Sequence, residues 1–308
     1  MKRFIRLLKS GGGRLFRRPR HLLAAGVVGV AGMTGYTQLD EWQRQRIFSP
    51  ENENQRWWRE APGGTEIFDL VLPNGHLVRT WYLRHPMPDA PTVLYLHGSR
   101  WNLNGSVFRM EHWADMGFSV LAIDYRGFGE STQLLPSESS AQQDALAALG
   151  ELERRQPDPA RRFIYGHSLG GAIAIDLAAR AEGRAVAGII IESSFSSITD
   201  MLATLRWGDL PGAGLIVTQR FASTRKLASI SKPLLIIHGT GDRVVPHTMS
   251  DALHDAAVSA PEGLRRLVKI EGASHSGAVR TPEYQEAVTR FAVDARRHFR
   301  AAEAVPAQ

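Results

Sequence analysis

No cysteine occurs among the 308 residues. Disulfides, thiolate metal sites and a cysteine nucleophile are therefore excluded, and the redox compartment is left open. No acidic residue occurs in residues 1–21, which carry Lys2, Arg3, Arg6, Lys9, Arg14, Arg17, Arg18 and Arg20. That tail explains the pI near 9.9: of 37 Lys and Arg it holds eight, leaving 29 against 31 Asp and Glu in the remainder. A body that is slightly acidic removes the main support for a nucleic-acid partner. No group of His, Asp and Glu has metal-ligand spacing. Gly127-x-Gly129 is too little for dinucleotide binding, and the glycines at 166–171 lack the P-loop lysine. No cofactor and no metal are implied. Repeats and low-complexity blocks are absent too, so the length fits one large domain or two small ones.

A long apolar run is also missing, although one segment comes near it. Residues 22–39 are 18 positions without a charge, with the apolar heart Leu22-Leu-Ala-Ala-Gly-Val-Val-Gly-Val-Ala-Gly-Met33. A spanning helix wants about 20 apolar residues, and Gly26, Gly29, Gly32 and Gly35 lower helix propensity. The reading taken forward is an uncleaved single-pass anchor, a transmembrane helix with the basic tail cytoplasmic and the body outside. A cleaved export signal, a twin-arginine signal around Arg17-Arg18, and a peripheral tail on anionic lipid are the alternatives.

Residues 40–62 form a polar linker with Trp42, Trp57 and Trp58. Beyond it, 66–72 and 76–84 alternate around Pro73-Asn74-Gly75, a hairpin pattern. The chain then alternates short apolar runs, read as strands at 92–96, 118–123, 163–165, 186–191, 234–237 and 266–270, with helical patterns at 107–116, 139–155, 172–180, 250–258 and 282–299. That rhythm predicts an α/β domain over 63–300, a mostly parallel twisted sheet flanked by helices. Residues 197–232 are too long for one crossover and are read as a small helical cap with Met201, Leu202, Leu205, Trp207, Leu210, Leu215 and Ile216 as its apolar content. A longer crossover helix is the alternative. Residues 301–308 read as a frayed end.

The chemistry collects where strands end. Gly166-His-Ser-Leu-Gly-Gly171 stands between a strand and a helix, so Ser168 occupies the tip of a sharp turn whose neighbours must be nearly free of side chains. Asp242 follows the strand at 234–237 in Gly239-Thr-Gly-Asp242, and His275 follows the last strand in Gly272-Ala-Ser-His-Ser-Gly277. Sites in open parallel sheets form at the carboxyl ends of strands. Glu192, ending the strand before the cap, is a rival acid. His97 and His238 close strands and are read as shaping groups, His167 as a packing or hydrogen-bonding one, and Asp124 and Arg126 as loop braces. Asn104-Gly-Ser106 is read as an accidental glycosylation sequon.

Together with His97-Gly98 and Asp124-Tyr-Arg-Gly-Phe-Gly-Glu-Ser131, these motifs follow in an order that resembles the α/β-hydrolase superfamily over about residues 65–299. Its membrane-anchored esterase or lipase branch looks most similar, with serine aminopeptidase-like members as neighbours. The resemblance implies an α/β-hydrolase fold and a catalytic triad of Ser168, His275 and Asp242. It implies an oxyanion hole from the backbone N–H groups of Leu169 and Ser99, where Ser99-Arg100-Trp101 is bulkier than the family's usual pattern. The expected function is a serine esterase acting on a small-molecule or lipid-like ester with an apolar acyl group, tethered to the membrane by its N-terminus. Amide cleavage, thioester cleavage and a non-catalytic membrane-tethered binding role are the alternatives. Substrate and oligomeric state are not legible.

Overall fold

An uninterrupted apolar run puts side chains on both faces of a strand, so it is stable only where both faces are covered. The computed structural model describes residues 19–50, 57–180, 185–204 and 212–304, and it places eight strands in one sheet, five of them buried at every position. The strands are β1 (Glu66–Val71), β2 (Leu77–Leu83), β3 (Thr92–Leu96), β4 (Ser119–Ile123), β5 (Arg162–His167), β6 (Gly188–Glu192), β7 (Leu234–Gly239) and β8 (Arg265–Ile270). Their order is β1-β2-β4-β3-β5-β6-β7-β8. The β1–β2 and β2–β4 pairs are antiparallel and all others parallel. This is the mostly parallel sheet of the α/β-hydrolase fold.

The helices are α1 (Pro19–Phe48), α2 (Leu103–Asp115), α3 (Glu138–Arg155), α4 (Leu169–Ala179), α5 (Ile198–Ala203), α6 (Ser223–Leu227), α7 (Thr248–Ala256) and α8 (Pro282–Glu303). The pleat alternation of β3 and β5 sorts the core into two layers. Leu94, Leu96 and Ile164 pack with Leu149 of α3 and Ile173 of α4, while Val93, Tyr95 and Phe163 pack with Trp113 of α2 and Phe291 of α8. Caps set helix starts that apolar periodicity does not reveal. The Asn102 side chain accepts from Gly105 N at 3.0 Å, so α2 begins four residues before the expected 107. Ser137 and Ser140 close a capping box on α3.

Two compact units divide the chain, residues 1–43 and 44–308. Most of α1 lies in the first, and the basic tail before Pro19 lies outside the described residues. No helix among the described residues is long and apolar enough to cross a membrane. This overturns the expected single-pass anchor with a cytoplasmic N-terminus and the catalytic domain outside. Length is not the obstacle, since the 30 residues of α1 would rise about 45 Å. Composition is: four glycines interrupt residues 22–35, and Asp40, Glu41, Arg44 and Arg46 follow within the same helix.

The final turn of α1 belongs to the second unit. The Arg44 guanidinium donates to the carbonyl of Pro136 at 2.8 Å and to that of Leu135. Phe48 is fully buried against the Phe221 ring, 5.9 Å between centroids. Its burial contributes about 1.5–3 kcal/mol. Its carbonyl accepts from Arg100 N at 3.0 Å. The stretch read as a linker, 40–62, thus begins by entering the core. Within 197–232, α5 and α6 are short pieces, Val217, Phe221, Leu227 and Ile230 are buried, and Leu215 and Ile216 are exposed. Leu205, Trp207 and Leu210 lie outside the described residues.

Candidate active site

β5 ends and α4 begins without a connecting loop, and this abruptness puts Ser168 in its place. Ser168 has φ 54° and ψ −118°, in the left-handed half of the map that L-residues avoid. A Cβ on Gly166 would lie 2.1 Å from the Gly170 carbonyl oxygen, and one on Gly170 would lie 2.0 Å from that of Leu96. The turn can therefore close only with glycine at both positions. Two bonds to the end of β6 hold it: Ser168 N donates to Glu192 O and Ser194 Oγ donates to Ser168 O, each at 2.8 Å. Leu169 opens α4, where a backbone N–H has no acceptor within the helix. The loop after β3 passes close by, since a Cβ on Gly98 would sit 3.2 Å from Ser168 Cβ.

Asp242 and His275, brought from beyond β7 and β8, meet at 2.7 Å between Asp242 Oδ2 and His275 Nδ1. The carboxylate is fully buried. Its Oδ1 accepts from the N–H groups of Val244 at 2.8 Å and Val245 at 3.0 Å. Its Oδ2 also faces His238 Nε2 at 3.1 Å. Burial pushes its pKa up, but the hydrogen bonds from His238, His275 and Val245 N outweigh that and hold it well below the usual carboxylate range. Asp242 thus stays ionised beside the imidazole. The proton on His275 Nδ1 points at it, which leaves Nε2 as an acceptor.

His275, Ser168, Ser99 and Gly98 border one cavity of about 830 Å³. Its aromatic wall comes from Trp57, Trp58, Trp101 and Phe108, and no described residue of 197–232 lines it. Among the described residues, its lining comes instead from the stretch around Trp57, from the loops after β3, β7 and β8, and from α2.

The remaining sequence candidates occupy supporting positions. Glu192 is fully buried and takes the Arg109 guanidinium at 2.6 Å and the Tyr165 hydroxyl at 2.5 Å, so it is engaged away from His275. His97 Nε2 lies 3.2 Å from Asp124 Oδ1, which also accepts Leu103 N at 2.9 Å. Arg126 pairs with buried Asp144 at 2.6 Å. Two contributors had no clear signal in the sequence. His238 holds Asp242 through the same Oδ2 that faces His275, and only the four-residue spacing in His238-Gly-Thr-Gly-Asp242 hints at it. Arg109, in mid-helix, pairs with a glutamate 83 positions away.

His167 donates from Nε2 to the His275 carbonyl at 2.9 Å and so ties the two loops together. Burial, then the Arg109 guanidinium and the His275 charge, push its pKa well below the ordinary histidine value. The folded state therefore binds this proton less readily than the unfolded chain. The stability it supports is complete above about pH 6.5 and is lost as pH falls below that value. The amide of His167→Gln can still donate but does not titrate. Its melting temperature is expected to fall less than that of the parent between about pH 7 and pH 5; parallel curves would contradict this.

Comparison with known proteins supplies a context for this arrangement. The family described as "Serine aminopeptidase, S33" matches residues 88–223. The uncharacterized protein MT2364 of Mycobacterium tuberculosis is 30% identical over 295 residues, covering 92% of this chain and 96% of that one. The lysophosphatidylserine lipase ABHD12 of Danio rerio is 31% identical over 196 residues, 58% of this chain and 50% of that one. Among solved structures, the esterase Pf2001 of Pyrococcus furiosus superposes with a TM-score of 0.59 at 19% identity, covering 75% of this chain and 92% of that one.

Proposed function

Because this chain belongs to the α/β-hydrolase superfamily, we propose that it is a serine hydrolase cleaving carboxylic esters through an acyl-enzyme. The observation that carries the reading is the 2.7 Å contact of His275 Nδ1 with Asp242, beside a serine that shares its cavity. In this mechanism Ser168 Oγ attacks the carbonyl carbon while its proton passes to His275 Nε2. Asp242 fixes the tautomer and offsets the charge that His275 gains. The N–H groups of Leu169 and Ser99 take the tetrahedral oxyanion, a donor pair in which each member is worth about 3–4 kcal/mol. His275 then gives its proton to the departing alcohol. Water, deprotonated by the same nitrogen, attacks the acyl carbon and releases the acid, and the proton returns to Ser168. The aromatic wall of Trp57, Trp58, Trp101 and Phe108 favours an apolar acyl group.

Amide cleavage is a second reading, favoured by the match to the serine aminopeptidase family; carbonyl and nucleophile are the same for both bonds. A fluorophosphonate probe is expected to form one adduct, on Ser168, as mapped by peptide mass spectrometry. A folded protein that takes no label, or takes it on another residue, would overturn the assignment.

A further inference from the structure

Hydrolysis of a neutral ester requires no cation beyond the transient imidazolium, yet the cavity is rich in positive charge. Arg46, Arg59, Arg100, Arg109 and Arg280 all line it, and no Asp or Glu is among its described lining residues. General basicity is no explanation, because outside residues 1–21 the chain has fewer Lys and Arg than Asp and Glu. Arg59 faces Glu111 at 3.7 Å, with both side chains largely exposed, an arrangement that holds it weakly.

Arg109 is the most informative of the five. Its side chain is 1% exposed, and its Nη1 binds Glu192 at 2.6 Å and Tyr165 at 3.3 Å. Its buried Nε and Nη2 have no hydrogen-bond partner. An N–H left without an acceptor is costly, and because Arg109 lines the cavity, an oxygen of a ligand that reaches it there relieves that cost. Phe108 links this buried group to the surface: Arg109 and Arg280 lie over its ring, with their guanidinium carbons 5.2 and 5.1 Å from the centroid. Exposed Arg280 and Arg100 thus line the same cavity as buried Arg109, together with the aromatic wall.

We propose that this site takes esters that carry a fixed negative charge, a carboxylate or a phosphate, held by Arg100, Arg280 and Arg109. The ester part rests on the serine hydrolase reading above; the charge part rests on the cavity alone. Guanidinium forks suit both anions, because each offers paired oxygens.

The full chain with Ser168→Ala allows binding to be measured without turnover. Calorimetric titration with octyl phosphate, octanoate and octanol is expected to show at least one anion binding about tenfold or more tighter than the alcohol. The advantage is expected to shrink in about 0.5 M salt and with Arg280→Gln or Arg100→Gln added. Preference for octyl phosphate alone identifies a phosphate, and preference for octanoate alone a carboxylate. Equal affinity for octanol, or an anion preference untouched by salt and by both substitutions, overturns the proposal. A separate assay of the parent protein on neutral and charged octanoyl esters decides the hydrolase reading. Absence of all turnover would end that reading while leaving the binding result to decide the charge.

Discussion

Ser168→Ala is expected to lower kcat on short-chain esters by at least about 10³-fold with the fold intact. The two halves of this expectation have different origins. The rate loss follows because residues 166–170 offer no other hydroxyl, and Ser194, which bonds the turn, already spends its Oγ–H on the Ser168 carbonyl at 2.8 Å. The intact fold follows because the Ser168 side chain caps nothing on α4. Alanine keeps the Cβ, and with it the cost of φ 54° that the chain already bears. Steady-state kinetics with a chromogenic acetate or butyrate ester, alongside thermal unfolding, tests both. Activity within tenfold of the parent would remove Ser168 from the mechanism.

Asp242→Asn should cost roughly 10³–10⁴-fold in kcat, by misdirecting a proton. The two oxygens of Asp242 are not equivalent. Oδ1 accepts the N–H groups of Val244 and Val245, so in the amide this position must remain oxygen. The NH₂ group is then forced into the place of Oδ2, 2.7 Å from His275 Nδ1 and 3.1 Å from His238 Nε2. A donor there drives the His275 proton to Nε2, the nitrogen that has to accept from Ser168. The variant should regain activity as pH rises far enough for hydroxide to substitute as base. It should also lose part of the stability that the ionised carboxylate gives, which in the parent is lost only as pH falls below about 4. Near-normal kcat at neutral pH would show that Asp242 does not orient the imidazole.

The eight strands were legible because each is an unbroken or alternating apolar run, and the order of Ser168, Asp242 and His275 because each follows one of those runs directly. Their convergence was legible to the same extent, since the topology allows one crevice at that edge of the sheet. The partners were not. Arg109 and Glu192 are 83 positions apart and meet only in the folded chain, where the Arg109 side chain reaches from α2 to Tyr165 of β5 and Glu192 at the end of β6. Trp57 and Trp58 carry no periodic signal, yet they stand in the cavity wall. The anchor reading failed for a compositional reason: an uncharged stretch is not necessarily an apolar one, and four glycines with threonine and glutamine dilute residues 22–39.

Phe48 determines where the chain can be cut. A fragment starting at residue 63, just ahead of β1, looks complete when judged by the sheet. It would nevertheless remove a fully buried ring and leave Phe221 facing water. It would also strip Arg100 N of the Phe48 carbonyl, the bond that fastens the loop bearing Ser99. A fragment starting at 44 keeps that ring, the Arg44 bonds to Leu135 and Pro136, and the tryptophans of the cavity wall. The difference is 19 residues, 44–62, none of whose described members lies in a strand. A worker trimming this protein for crystallisation would discard them first, and would lose the backing of the loop beside Ser168.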